Sequence, residues 1–198
     1  MPQTRTLLSV QTGQARRMRM AGRSLLTAMV KLPVQGPVPV GPLGLLGDEQ
    51  ADLSIHGGLG KAVYAYPAEH YPFWQQARRE AGVAEIDDSL PHGSFAENLT
   101  LSGLLETEVW VGDLLRFPNC TLEVASPREP CHKLNAAMGF ARAVRLMAES
   151  GFCGFYLRVR EPGSLSAGQS FELIPGPRSM GIPELFHAKR VKHLRGEF

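Results

Sequence analysis

A mainly β fold, a β-barrel with a few inserted α-helices, is what the sequence predicts. Fifteen prolines and 21 glycines cut the chain into short apolar runs bounded by turn residues, which suits strands. Two segments carry a helical period instead. Strand-like and helix-like segments do not alternate, so a doubly wound parallel sheet is disfavoured.

Taken in order, residues 6–10 and 25–34 read as strands. Residues 32–45, with Pro33, Pro37, Pro39 and Pro42, read as an extended loop, and 62–66 as the next strand. Residues 67–81 read as a helix: Pro67 suits the first helical position, Glu69 the positive end of the dipole, and Gly82 the stop. Strands follow at 109–117 and 121–125. A second helix over 135–150 places Ala137, Phe140, Ala141, Val144 and Ala148 on one face, with Asn135 as cap and Gly151 as stop. Residues 155–159 and 171–174 complete the strands. Residues 1–178 are expected to form a single domain, and 179–198 a short basic tail or helix.

Length, charge and cysteine usage narrow the class. A chain of 198 residues can bury a sizeable core without staples. Its three cysteines are irregularly spaced with no C-x-x-C, so neither a disulfide framework nor a zinc knuckle is written here, and a cytoplasmic location is expected. Basic and acidic residues, 21 and 19, are mixed to a net charge of +2, which predicts no nucleic-acid partner. No window approaches the roughly 18 apolar residues of a membrane span, so no membrane partner is expected.

Several stretches carry chemistry. I-H-G-G-L-G-K-A (55–62) sets Gly57, Gly58 and Gly60 before Lys61 and a strand. Glycines let backbone N–H groups converge on an anion, although a tight turn with a surface lysine reads the same way. It is not a P-loop, whose spacing it does not match. Just upstream, Asp48, Glu49 and Asp52 lie close in sequence to His56, as a polar turn or a weak metal or proton-sharing group. H-G-S-F-A-E-N-L-T (92–100) offers Glu97 and Asn98, either to a ligand or to the backbone of its own turn.

The cysteines differ in setting. Cys120 opens an alternating strand and Cys153 sits among apolar residues and glycines, so both read as packed and inert. Cys131, in S-P-R-E-P-C-H-K-L-N (126–135), is flanked by Arg128, His132 and Lys133 and precedes a helix. All of these favour a thiolate. A cysteine phosphatase needs arginine six residues on, where Ala137 stands; a papain-like signature and a resolving cysteine are also missing. Sulfur transfer and metal ligation remain.

Taken together, G-D-E-Q-A-D (47–52), H-G-G-x-x-K-A (56–62), F-x-E-N-L (95–99), V-G-D (111–113) and P-R-x-P-C-x-K-L (127–134) resemble the MOSC domain. That family is named for the C-terminal part of molybdenum cofactor sulfurase, and the likeness is to its small stand-alone bacterial members. The resemblance implies a β-barrel-like fold that binds the molybdenum cofactor (molybdopterin), with Cys131 ligating molybdenum or carrying sulfur. It implies that His56, Gly57, Gly58, Lys61, Glu97, Asn98, Arg128 and Lys133 bind the cofactor. The implied activity is reduction of an N-hydroxylated small-molecule substrate, with electrons from a separate reductase. A non-catalytic sulfur or cofactor carrier, serving a cofactor-receiving enzyme, is the alternative. Two positions depart from the family pattern: Gly60 replaces the usual acidic residue and Ala96 the usual glycine.

Overall fold

The computed structural model describes residues 4–20, 23–51 and 57–195. Its strands are β1 (Thr6–Thr12), β2 (Arg16–Met20), β3 (Arg23–Thr27), β4 (Leu32–Pro33), β5 (Val38–Gly41), β6 (Gly44–Leu45) and β7 (Val63–Pro67). Beyond helix α1 (Tyr71–Glu80) come β8 (Leu99–Ser102), β9 (Leu114–Arg116) and β10 (Thr121–Pro127). Helices α2 (Lys133–Met138) and α3 (Ala143–Ser150) precede β11 (Phe155–Glu161), β12 (Gly163–Leu165), β13 (Glu172–Ile174) and helix α4 (Ile182–Arg195).

Eight strands form one sheet in the order β13-β9-β10-β11-β7-β8-β1-β4; β12-β5-β6 form a second sheet, and β2-β3 a two-stranded ribbon. Within the large sheet β7 and β8 pair in parallel. The other neighbours pair antiparallel.

The expected β-barrel is not formed. The large sheet has two ends, β13 and β4, and among the described residues no ladder joins them, so the architecture is mixed α/β with open sheets. One isolated bridge, Thr6 to Ser170, lays the chain ahead of β13 beside β1 without growing into a strand pair. The ends are short for a physical reason. Pro33 in β4, and Pro175 and Pro177 after β13, carry no N–H for a further ladder.

Period-2 apolar residues of the sheet build the main core. Leu7, Leu99, Leu101, Leu115, Leu122, Phe155 and Leu157 are fully buried within it. A second cluster, with Tyr66, Trp74, Phe95, Leu134, Met138 and Met147, seats the helices. Removing an indole such as that of Trp74 would cost about 3–5 kcal/mol. This second core fixes α2, and so the loop that carries Cys131.

The helices depart from expectation where glycine intervenes. The predicted 135–150 helix is two, because Gly139 at φ 83° ends α2 in the left-handed region. Asn135 lies inside α2, whose N-cap is His132, and not at a helix start; its Oδ1 instead accepts from the Val144 N–H of α3 at 2.8 Å. Helix α1 starts at Tyr71, after a 3-10 turn over Ala68–His70. The predicted 25–34 strand is split between β3 and β4, and the loop expected over 32–45 holds β4, β5 and β6. Strand β8 was not predicted. The basic tail is helical through α4, anchored by buried Ile182 and Phe186. Among the described residues, no helix is long and apolar enough to cross a membrane.

Candidate functional site

One cleft gathers most of the predicted residues. It takes shape where β10 runs out into the Cys131 loop, where the 3-10 turn over Leu59–Lys61 leads into β7, and where the 93–98 loop enters β8. Its cavity volume is about 90 Å³, several times the roughly 10–15 Å³ that one water needs. Gly57, Lys61, Asn98, Arg128, Cys131 and Lys133 line it. Gly58 is exposed and does not line it, Glu97 lies behind it, and His56 falls outside the described residues.

Arg128 is the most constrained of these groups. Its side chain is buried, at 5% residue exposure. Among the described residues no carboxylate pairs with it; its Nη1 donates to the Met147 sulfur at 3.4 Å, and its guanidinium lies 5.4 Å from the Tyr64 ring centroid. Burial opposes its charge, while Tyr64, Tyr156 and Cys131 pull its pKa up when they are ionised. Burial holds both tyrosines protonated well beyond neutral pH. A buried cation with so little local compensation is a seat for an anion.

Around it stand further cations. Lys61 Nζ lies 5.8 Å from the Tyr156 ring centroid, and Lys133 Nζ donates to the Leu26 carbonyl at 3.3 Å, tying α2 to the β2-β3 ribbon. Tyr156 and Tyr64 are register partners on β11 and β7, which sets both rings on this wall. Cys131 is half-buried and in no disulfide, and its carbonyl accepts from Leu134 N–H in the first turn leading into α2. Cys120 and Cys153 are buried, and burial raises both thiols, Cys120 to about 11.

Asn98 and Glu97 are builders of the site. Asn98 Oδ1 accepts from Tyr64 N–H at 3.0 Å, while its Nδ2 donates to Asp48 Oδ2 at 2.9 Å. Its amide group thus locks the parallel β7-β8 pair to the segment after β6. Glu97 is fully buried and accepts from Gly93 N–H at 2.7 Å, Phe95 N–H at 3.0 Å, Thr100 Oγ1 at 2.9 Å and the Tyr71 hydroxyl. Burial raises its pKa, and the hydrogen bonds from the Tyr71 hydroxyl, Gly93 N–H and Thr100 Oγ1 pull it back. The carboxylate therefore shapes the 93–98 loop from behind.

Lys31 escaped the sequence reading. It lines the cleft with its side chain 7% exposed, ion-paired to Asp48, whose side chain is 2% exposed. Asp48 Oδ1 also accepts from Gly13 N–H at 2.9 Å. The available signal was a lone lysine inside the apolar stretch A-M-V-K-L-P (28–33), where a charge must be paired to be buried. Tyr64 and Tyr156 were hidden as ordinary strand aromatics. Asp48, read as part of a polar turn, proves to be the partner of both Lys31 and Asn98.

Among the described residues no group of three or more His, Cys, Asp and Glu side chains is placed to hold a metal ion. What the cleft offers is one soft thiol beside a buried guanidinium and three lysines, of which Lys31 is paired to Asp48. That donor set fits a ligand that brings anionic groups and carries its own metal donors, leaving one metal position for sulfur. Residues 52–172 match the family described as the MOSC domain. The chain belongs to the MOSC domain family. Its relatives include YflK of Bacillus subtilis, described as uncharacterized, 38% identical over 169 residues, or 85% of this chain and 73% of that one. A protein described as a reductase in Gibberella moniliformis is 32% identical over 177 residues, 89% of this chain but 30% of the fungal one. Among solved structures, YiiM from Geobacillus stearothermophilus superposes with a TM-score of 0.73 at 27% identity, covering 93% of this chain and 83% of that one. The MOSC match spans Gly57, Lys61, Asn98, Arg128, Cys131 and Lys133. Lys31 and Asp48 lie upstream of it.

Proposed function

We propose that this MOSC chain binds the molybdenum cofactor in the cleft and reduces N-hydroxylated small molecules there. The observation that carries the proposal is Arg128, a buried cation with no carboxylate partner among the described residues, in one cavity with Cys131, Lys61 and Lys133. When bound, the cofactor supplies a redox-active metal. The chain supplies the rest. Arg128, Lys61 and Lys133 hold anionic groups, Cys131 gives one thiolate to the metal, and Tyr64 and Tyr156 form an apolar wall. Gly57 presents its backbone N–H at the rim, and Glu97 and Asn98 keep the loop in shape.

Electrons come from a separate reductase, since the sequence carries no flavin, haem or iron–sulfur motif. The fungal relative described as a reductase supports a reductive role. The test is expression in a host that makes the cofactor, followed by molybdenum and oxidised pterin per chain for wild type and Cys131→Ala. Loading of wild type and loss of metal in the variant is the expected outcome; near-zero content in both refutes the proposal. The partly exposed Cys131 favours one second reading, a carrier that hands sulfur or cofactor to a receiving enzyme. A persulfide on Cys131 by mass spectrometry, without turnover of an N-hydroxylated base, selects that reading.

A further inference from the structure

Reduction of an N–OH group breaks the N–O bond, forms an N–H bond and releases water, consuming two electrons and two protons. The electrons belong to the separate reductase, and the protons must enter the cleft. We propose that Lys31 is the acid that protonates the departing oxygen, with Asp48 holding its ammonium at the cleft wall. This assignment rests on the reductive reading of the site.

Few groups there can give a proton at neutral pH. Arg128 holds its own too tightly. Burial raises Tyr64 and Tyr156, and Cys131 is assigned to the metal. Lys31 differs in geometry. It lines the same cavity as Cys131 and Arg128, is nearly closed to bulk water, and sits against a carboxylate that is itself fixed by Gly13 N–H and Asn98 Nδ2. Asp48 therefore cannot swing away, and the ammonium is held in one place. Among the described residues, the other charged groups near Lys31 are Glu97 behind it and Glu49, Lys61, Arg128 and Lys133 around the cleft. Burial lowers the Lys31 pKa and outweighs the opposing pull of Asp48, so its proton is looser than that of an exposed lysine. After transfer the neutral amine is recharged from water at the open mouth, which also supplies the second proton.

Two measurements test the assignment. In apo-protein labelled with 13Cε-lysine, one resonance should titrate below the ordinary lysine value of 10.5 and vanish in Lys31→Met. In cofactor-loaded protein, Lys31→Met and Lys31→Arg should keep molybdenum and pterin yet lose about 100-fold or more in kcat, the scale of general acid catalysis. The alkaline limb of the pH profile should disappear with them. Arginine keeps the ion pair to Asp48 but does not release its proton, so a merely structural lysine would be rescued by it. Titration of Lys31 at or above the ordinary value, or wild-type kcat in Lys31→Arg, overturns the assignment while the reductive reading stands. A loaded wild type that reduces no N-hydroxylated compound overturns the reading itself, whatever Lys31 titrates.

Discussion

Replacing Arg128 by Met separates function from stability. The guanidinium is buried, one of its nitrogens donates to the Met147 thioether, and it lies 5.4 Å from the Tyr64 ring centroid. In the apo-protein Met would remove a desolvated cation, and exchanging buried ionic groups for well-packed apolar ones is often neutral or stabilising by about 1–4 kcal/mol. Loss of the cation–π contact gives back about 0.5–2 kcal/mol. The variant should therefore lie between about 2 kcal/mol less stable and about 3 kcal/mol more stable than wild type in urea unfolding. Anion binding should move the other way. One charge-assisted hydrogen bond is worth about 1.5–3 kcal/mol, so inorganic phosphate measured by calorimetry should bind about 10- to 150-fold more weakly. A variant destabilised by more than about 2 kcal/mol, with phosphate affinity unchanged, would show that Arg128 is a structural cation and refute the reasoning.

Two further substitutions probe the loop behind the cleft. Ala96 has φ 63°, a conformation that costs a side-chain-bearing residue about 1–2 kcal/mol. Ala96→Gly should relieve this, less the extra unfolded-state entropy of glycine, and raise stability by about 0.5–1 kcal/mol in urea unfolding; a loss would contradict it. The Glu97 carboxyl is raised above its ordinary 4.5 by burial, so the folded chain binds that proton more tightly than the unfolded chain. This contribution is fully present below that value and is lost as pH rises through the folded pKa. The stability deficit of Glu97→Gln, which does not titrate, should accordingly shrink over that rise, whereas a deficit independent of pH would place the raised pKa elsewhere.

The site was legible in the sequence where backbone conformation or charge dictates residue type. Arg128, Cys131 and Lys133 announced themselves as basic groups around a thiol, and Gly57 and Lys61 as a turn before a strand. Ala96 stands at a positive φ, where a glycine would carry no Cβ strain. Glu97 and Asn98 were visible as polar residues in a loop, but not as scaffolding, because their partners Tyr71, Asp48 and Tyr64 come from elements 26 to 50 residues away. Lys31 was hidden for the same reason, since its meaning lies in its partner Asp48.

The fold was legible in part. Apolar runs located β1, β7, β10 and β11 well, because those strands pair on both sides and are buried. Strand β8 was missed because it follows the polar E-N pair directly. The barrel failed because runs of residues suggest where strands lie and not whether the two end strands meet. Gly139 divided a helix whose apolar face runs on past it.

The most direct test of the account is the metal and pterin content of the protein from a cofactor-making host. Wild type should carry molybdenum and oxidised pterin in similar amounts approaching one per chain. Cys131→Ala should lose the metal, and Arg128→Met should lose both. Wild-type protein that folds normally yet carries neither would contradict the central claim.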